Sequence, residues 1–423
     1  MASSNKKVRK DQKKRDRQKR AIAKEKRRQV RSAAEPSTQD AQFADSPSDE
    51  LFSDFKKDAP DKEAANPAIE QWWDRFHDVD GPQRVSMLKE QLHADLDKEW
   101  RESLFPDAIF EAEQGTDSSD YVSLLETLAV EHRQIYDLGL LWFLKSRVDH
   151  YLLVGDDDKI VTAVKQDAAA LSETNEAYFG IVSTLRLAGM AGSADTLAAA
   201  GMRVMDTSDL MPWAINEMFH FFQDSQVRQC VHDGGDAKAI ARLESILEEH
   251  DANMDADAVQ LRAEMIRRLT GETKTKWVRN QLLGSSKQTR VNCYLLCFEF
   301  SHWLIAQRDI PPVAADELRG FVLQTLSGDG ISMRSYLDGI SKTALEKQLV
   351  SELGFMSLDR FKAPATLIAV EHFVMFLSEA ELVSTKSLSR TRDVIASLDA
   401  QLRQVLNQEW RFFSFLDRLR TPA

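Results

Sequence analysis

The chain has 423 residues, a net charge of −12, 43% hydrophobic and 29% charged residues, which exceeds one small core and suits either two or three compact domains or one elongated stack of helices. The charge is unevenly placed: residues 1–32 carry 15 Lys and Arg against 3 acids, about +12, and the rest holds 40 basic against 64 acidic residues, about −24. Three cysteines, Cys230, Cys293 and Cys297, are too few for a disulfide framework and no signal peptide precedes them, so a cytoplasmic location is expected, with the nucleus as an option in a eukaryote.

The basic segment is KKVRKDQKKRDRQKRAIAKEKRRQVR, residues 6–31, in which only Val8, Ile22 and Val30 are sizeable apolar residues. It has no face to bury and reads as a disordered tail or a fraying helix. Lys6, Lys7, Arg9, Lys10, Lys13, Lys14, Arg15, Arg17, Lys19, Arg20, Lys24, Lys26, Arg27, Arg28 and Arg31 are candidate phosphate-neutralising groups for RNA, DNA or a ribosome surface, binding without base specificity because no aromatic residue is there to stack. A nuclear import signal and an anionic lipid surface are the competing uses of the same charge. Residues 33–65 read as an acidic linker with scattered Pro and Ser, in which Leu51, Phe52 and Phe55 form one short apolar cluster.

The folded body is expected from about residue 66. Pro67 opens a helix carrying Ile69, Trp72, Trp73 and Phe76, closed by Gly81-Pro82. A second helix over 82–100 carries Val85, Leu88, Leu92, Leu96 and Trp100, and a shorter one covers 106–113. The tryptophans read as anchors of an N-terminal helical cap spanning 66–118. Paired helices follow over 121–132 and 135–154, ended by Gly155. Asp156, Asp157 and Asp158 invite a metal reading, but their place just ahead of an apolar-periodic run fits a helix N-cap with an acidic first turn.

Residues 174–207 predict a helical hairpin. Ala177, Tyr178, Ile181, Val182 and Leu185 share one face of its first helix, Ala194, Leu197, Ala198, Gly201 and Val204 one face of its second, with the turn at 190–193. Small residues at Gly180, Gly189, Ala194, Ala198 and Gly201 allow close approach. The spacing of Tyr178, Ile181, Val182, Leu185, Gly189, Ala194, Ala198 and Gly201 resembles a tetratricopeptide hairpin, although Asp206 stands where that family has Pro and Val182 where it has a smaller residue. The resemblance covers at most residues 135–250. It implies a stack of helical hairpins and carries no functional residue.

Helices over 210–233, 236–250 and 256–283 follow, the last interruptible at Gly271, with His220 placed by Phe219, Phe221 and Phe222 as a core or boundary residue. Residues 299–326 and 371–398 are similar at an offset of 72, pairing Ile305 with Leu377, Ile310 with Leu382, Val322 with Val394, Leu323 with Ile395 and Leu326 with Leu398. Both read as long helix, short break, long helix, with a further helix or hairpin over 333–356 between them. Cys293 and Cys297, four apart on a helix with His302 beyond, are weighed as zinc ligands and read as core residues. The chain closes on an aromatic-rich helix, Trp410, Phe412, Phe413 and Phe415 among its residues.

No phosphate loop, dinucleotide fingerprint, zinc-protease helix or nucleophile elbow occurs. The expectation is an all-α chain, a right-handed helical-hairpin solenoid of tetratricopeptide-like kind preceded by a disordered basic tail and linker. Its hairpin repeats occupy 119–290, and further repeats with a capping helix occupy 291–423. The expected role is a non-enzymatic scaffold that holds a protein or peptide in its groove and is tethered to RNA, ribosome or another polyanion by residues 1–32, with no cofactor or metal. The alternative is an enzyme of all-helical class with its site in the groove.

Overall fold

Helix ends carry the most explicit local instructions in this sequence. Side chains of Asp156, Asn175, Asp236, Ser286, Ser332, Ser341 and Ser384 each accept a backbone N–H two or three residues on, satisfying donors that the first helical turn leaves unpaired. Gly189 supplies the opposite device. At φ 80° it occupies the left-handed region, its N–H donates to the Arg186 carbonyl and the Met190 N–H reaches back to Leu185 at 2.9 Å, a closure that favours glycine at its left-handed position.

The computed structural model describes residues 67–92, 105–113, 118–205, 211–249, 256–327, 331–353 and 359–420. Residues 68–423 form one compact unit. Among the described residues every regular element is helical: α1 (Pro67–Asp78), α2 (Gly81–Leu92), α3 (Phe105–Ala112), α4 (Ser118–Glu131), α5 (Arg133–Tyr136), α6 (Leu140–Val154), α7 (Asp157–Ala170), α8 (Glu176–Leu187), α9 (Ala191–Val204) and α10 (Pro212–His232) in the first half. The second half holds α11 (Ala237–Glu248), α12 (Ala256–Leu269), α13 (Arg279–Leu282), α14 (Lys287–Arg308), α15 (Pro312–Ser327), α16 (Met333–Asp338), α17 (Lys342–Glu352), α18 (Lys362–Glu379) and α19 (Thr385–Leu406). Asn407–Leu419 continues as a 3-10 helix.

Two apolar cores are built from these elements. The first runs from Trp72 to Phe221 and takes in Val313 of α15, the second runs from Leu187 to Leu419, and α10 serves both, giving Ala214, Met218 and Phe221 to one and Phe222, Val227 and Cys230 to the other. Where the sequence pattern assigns α8 a single apolar face, every residue from Ala177 to Leu187 is buried. The reason is its neighbours: α6, α9, α10 and α15 all pack on it. Similarly, α15 is buried from Val313 to Arg319 and α18 from Ala363 to Val370. With α8 packed on α15 and α15 on α18, three enclosed helices form the middle of the unit.

Helical hairpins are therefore present. In a solenoid each repeat need touch only its neighbours in sequence, whereas here α8 packs on α15 and Asn407–Leu419 packs on α6. The packing establishes an all-helical body with sequence-distant contacts.

Several predicted boundaries move for local reasons. The helix expected over 135–154 is split by a 3-10 turn at Asp137–Gly139, where an added Cβ at Gly139 would meet the Phe143 ring at 2.6 Å. The hairpin turn lies at 188–190 rather than 190–193, because Gly189 closes α8 and Ala191 already begins α9. The helix expected over 256–283 ends at Leu269, with Gly271 at φ 76°. The closing aromatic helix is a 3-10 segment from Asn407 onward.

Candidate functional site

The fifteen basic candidates between Lys6 and Arg31, the apolar cluster Leu51, Phe52 and Phe55, Trp100 and Asp206 all lie outside the described residues. Trp72 is 7% exposed and stacks on Phe76 at 4.9 Å, so it acts as a core anchor. Asp156 caps α7 by accepting from Lys159 at 3.1 Å, with Asp157 and Asp158 in the first turn. His220 is exposed, not a core or boundary residue: the helix turns its neighbours Phe221 and Phe222 inward and leaves it on the outer side. Cys297 is fully buried and its thiol is pushed up by burial; Cys293, pushed to about 11 by the same cause, donates to the Leu282 carbonyl. His302 Nδ1 donates to the Leu269 carbonyl at 2.9 Å, so the three side chains serve separate packing roles. Among the described residues no group of three or more His, Cys, Asp or Glu is placed to hold a metal ion.

What the fold does assemble is a chain of alternating charges where α8, α9, α10 and α15 meet. Glu317 contacts Arg186 Nε at 2.9 Å, as an ion pair rather than an aligned hydrogen bond. Arg186 Nη2 donates to Asp224 Oδ2 at 2.7 Å, and Arg319 Nη2 to Asp224 Oδ1 at 3.0 Å. Arg319 Nη1 then donates to Asp316 Oδ1 at 2.6 Å and to Ser301 Oγ at 3.3 Å. Arg228 bridges Asp316 Oδ2, at 2.9 Å, to Asp195. The sequence of signs is acid, base, acid, base, acid, base, acid, and aromatic faces support two of the bases: Arg186 lies 5.1 Å from the Phe221 ring centroid and Arg319 lies 4.2 Å from that of Phe298.

Protonation follows from this geometry. Burial alone would raise the Asp224 carboxyl, but Arg319 and Arg186 outweigh it and hold the group at about 2 against an ordinary 3.8. Burial opposes the charge of Arg186 and Arg319 too; Glu317, Asp224 and Asp316 reverse that effect at Arg186, and Asp316 and Asp224 reverse it at Arg319, so both guanidiniums are raised. On the flank of the chain, Glu217 is raised, first by burial and further by Glu317 and Asp359, with Lys362 pulling it the other way.

A second knot ties α5, α6 and α7. The wholly buried Asp167 accepts from Arg133 at 2.8 Å and from the Tyr136 hydroxyl at 2.7 Å, while Arg147 donates to Tyr136 at 2.9 Å. In a third, Glu299 accepts from Trp277 Nε1 at 2.9 Å and pairs with Arg268, whose guanidinium lies 5.2 Å from the Trp277 ring centroid. Removing one partner from such a set strands the other charge in low dielectric, which is costly. These buried ionisable groups neutralise one another between helices, and that is chemistry of positioning.

The sequence reading missed Arg186, Asp224, Asp316 and Arg319. Their signal was present as charges inside otherwise apolar runs, as in IVSTLRLAG and VAADELRGFV, since a charge at a core-facing position needs a partner. Comparison with protein-family models, with curated proteins and with solved structures returns no match.

Proposed function

We propose that this chain is a non-catalytic binding protein, a helical scaffold for a protein or peptide partner, attached to RNA or another polyanion through its basic N-terminal segment. The observation that carries the reading is the division of charge: about +12 within residues 1–32 against about −24 in the remainder. Such a segment neutralises phosphates and releases counterions without reading bases. The acidic remainder favours the tail's own return to it and disfavours polyanions elsewhere, so attachment is governed by competition and by salt. Helical hairpins stacked as a solenoid supply the partner-binding face in this reading.

The test is RNA binding by the full chain over a salt series, beside a full chain in which Lys13, Lys14, Arg15, Lys26, Arg27 and Arg28 are changed to Gln. Six to ten phosphate contacts predict a loss of affinity of about a thousandfold or more between about 50 and 200 mM salt. The Gln-substituted chain should bind weakly and with a shallower salt slope. Unchanged affinity in that variant would refute the tail as the attachment element.

A further inference from the structure

A second cationic feature lies in the described unit, between the start of α17 and the outward side of α19. Lys342, Lys386 and Arg390 line an open cleft of about 550 Å³ together with the hydroxyls of Ser389 and Ser397 and a single carboxylate, Asp393. Lys342 Nζ donates to Ser397 Oγ at 3.2 Å. Arg228, Arg186, Arg319 and Arg268 are each held by carboxylates, whereas the exposed Lys386 and Arg390 have no ion pair within 4.0 Å among the described residues.

The placement of these cations opposes helix stability. Lys342 is the first residue of α17 and Lys386 the second of α19, where the positive end of the helix dipole disfavours a cation. Lys386 and Arg390 are also four apart on one helix, a like-charge spacing that mildly opposes it. Three effects therefore add positive potential at one spot on an otherwise acidic unit. A ligand that bears several negative charges would relieve all three, and the cleft is within the usual size range of small-molecule sites, roughly 300–1,000 Å³.

The geometry points to this cleft as a binding site for a small oligophosphate anion. Arg390 offers a planar fork for one phosphate, Lys386 and Lys342 offer point charges for its neighbours, and the Ser389 and Ser397 hydroxyls donate to the remaining oxygens. Asp393 at one side of the cleft repels a ligand that spreads along α19 and so favours a compact one. The lining residues of the site all fall between Lys342 and Ser397.

The test is site-resolved hydrogen exchange on the full chain with inorganic tripolyphosphate at about 0.15 M ionic strength, where long-range attraction is screened. Exchange should slow across residues 342–346 and 385–398. The double variant Lys386→Glu, Arg390→Glu should lose that slowing and bind roughly tenfold more weakly or worse for each lost charge-assisted contact. Its helical circular dichroism should be retained and its melting temperature retained or slightly raised, since both side chains are exposed and an acid near the start of α19 suits the helix dipole. Slowing confined to other segments, slowing that persists in the double variant, or equal slowing by a glutamate oligopeptide of matched charge would each overturn the assignment.

Discussion

The α14–α15 and α18–α19 hairpins are related by an offset of 72 residues, and they differ most where they are most alike. Each has a long first helix, a short turn and a long second helix, and each turn places a non-glycine residue in the left-handed region: Asp309 at φ 52° and Glu381 at φ 58°, 72 apart. Yet α15 is enclosed by α8, α14 and α18, whereas α19 buries one stripe, Thr391, Ile395, Leu398, Leu402 and Leu406. The buried sides are not superimposable: Phe321 and Val322 point inward on α15, and their counterparts Asp393 and Val394 are exposed and half-buried. One hairpin pattern thus serves as interior or as periphery, and the polar groups it carries change with the setting. At the position where α15 holds the buried Arg319, α19 holds the buried Thr391, whose hydroxyl accepts the Ile340 N–H at 3.2 Å.

That pair of positions gives the sharpest test. Arg319→Met leaves Asp224 with Arg186 alone and Asp316 with Arg228 alone, an excess of buried negative charge that should destabilise the chain by about 3 kcal/mol, read by urea unfolding; a loss below that of Thr391→Val would break the contrast. The Asp224 carboxyl supplies a pH signature. Its folded-state value, about 2, is below the ordinary 3.8, so its contribution is complete above about pH 4 and is lost as pH falls toward 2. The size is on the order of 2 kcal/mol. In Asp224→Asn the acid limb of the stability profile should flatten over that interval; an unaltered limb would assign acid sensitivity to other carboxylates.

Thr391→Val should cost about 1–3 kcal/mol, because it leaves the buried Ile340 N–H without an acceptor. At the two turns, Glu381→Gly should stabilise by up to about 1 kcal/mol and Asp309→Gly by less, since Asp tolerates the left-handed region better than Glu. Thermal unfolding of both in parallel checks whether the turns are equivalent, and opposite signs would show that they are not. Smallest is Gly320→Ala on the exposed side of α15, where an added Cβ meets nothing within 4 Å. The gain of a better helix former should be about 0.5–1 kcal/mol.

Local devices were legible in the sequence because their physics is local. Asp156 is a cap that a few residues define, and Gly155 ends its helix with the left-handed residue that a cap favours, whereas Gly189, read as a close-approach position, turns out to close α8. Tyr178 and Gly201 were readable as bulky and small positions of the hairpin, and an added Cβ at Gly201 would collide with the Tyr178 hydroxyl. The ionic chain was not legible, since its partners are far apart: Arg186 meets Asp224, which meets Arg319, which lies beside Ser301. A one-dimensional pattern marks such charges as needing partners and cannot say which. Enclosure of α8 was hidden for the same reason, because periodicity reports a helix's own faces and not how many neighbours arrive.

The packing of Asn407–Leu419 on α6 has a consequence in time. During synthesis α6 is complete some 250 residues before the segment that covers it exists. Apolar side chains such as Leu152, which contacts both cores, must wait on the ribosome for a partner made much later. Loop closure of that span is slow and the waiting surface is open to misassociation. A nascent chain halted before residue 407 should therefore engage chaperones that bind exposed apolar surface, and release from them should coincide with emergence of Phe415 and Leu416 from the exit tunnel.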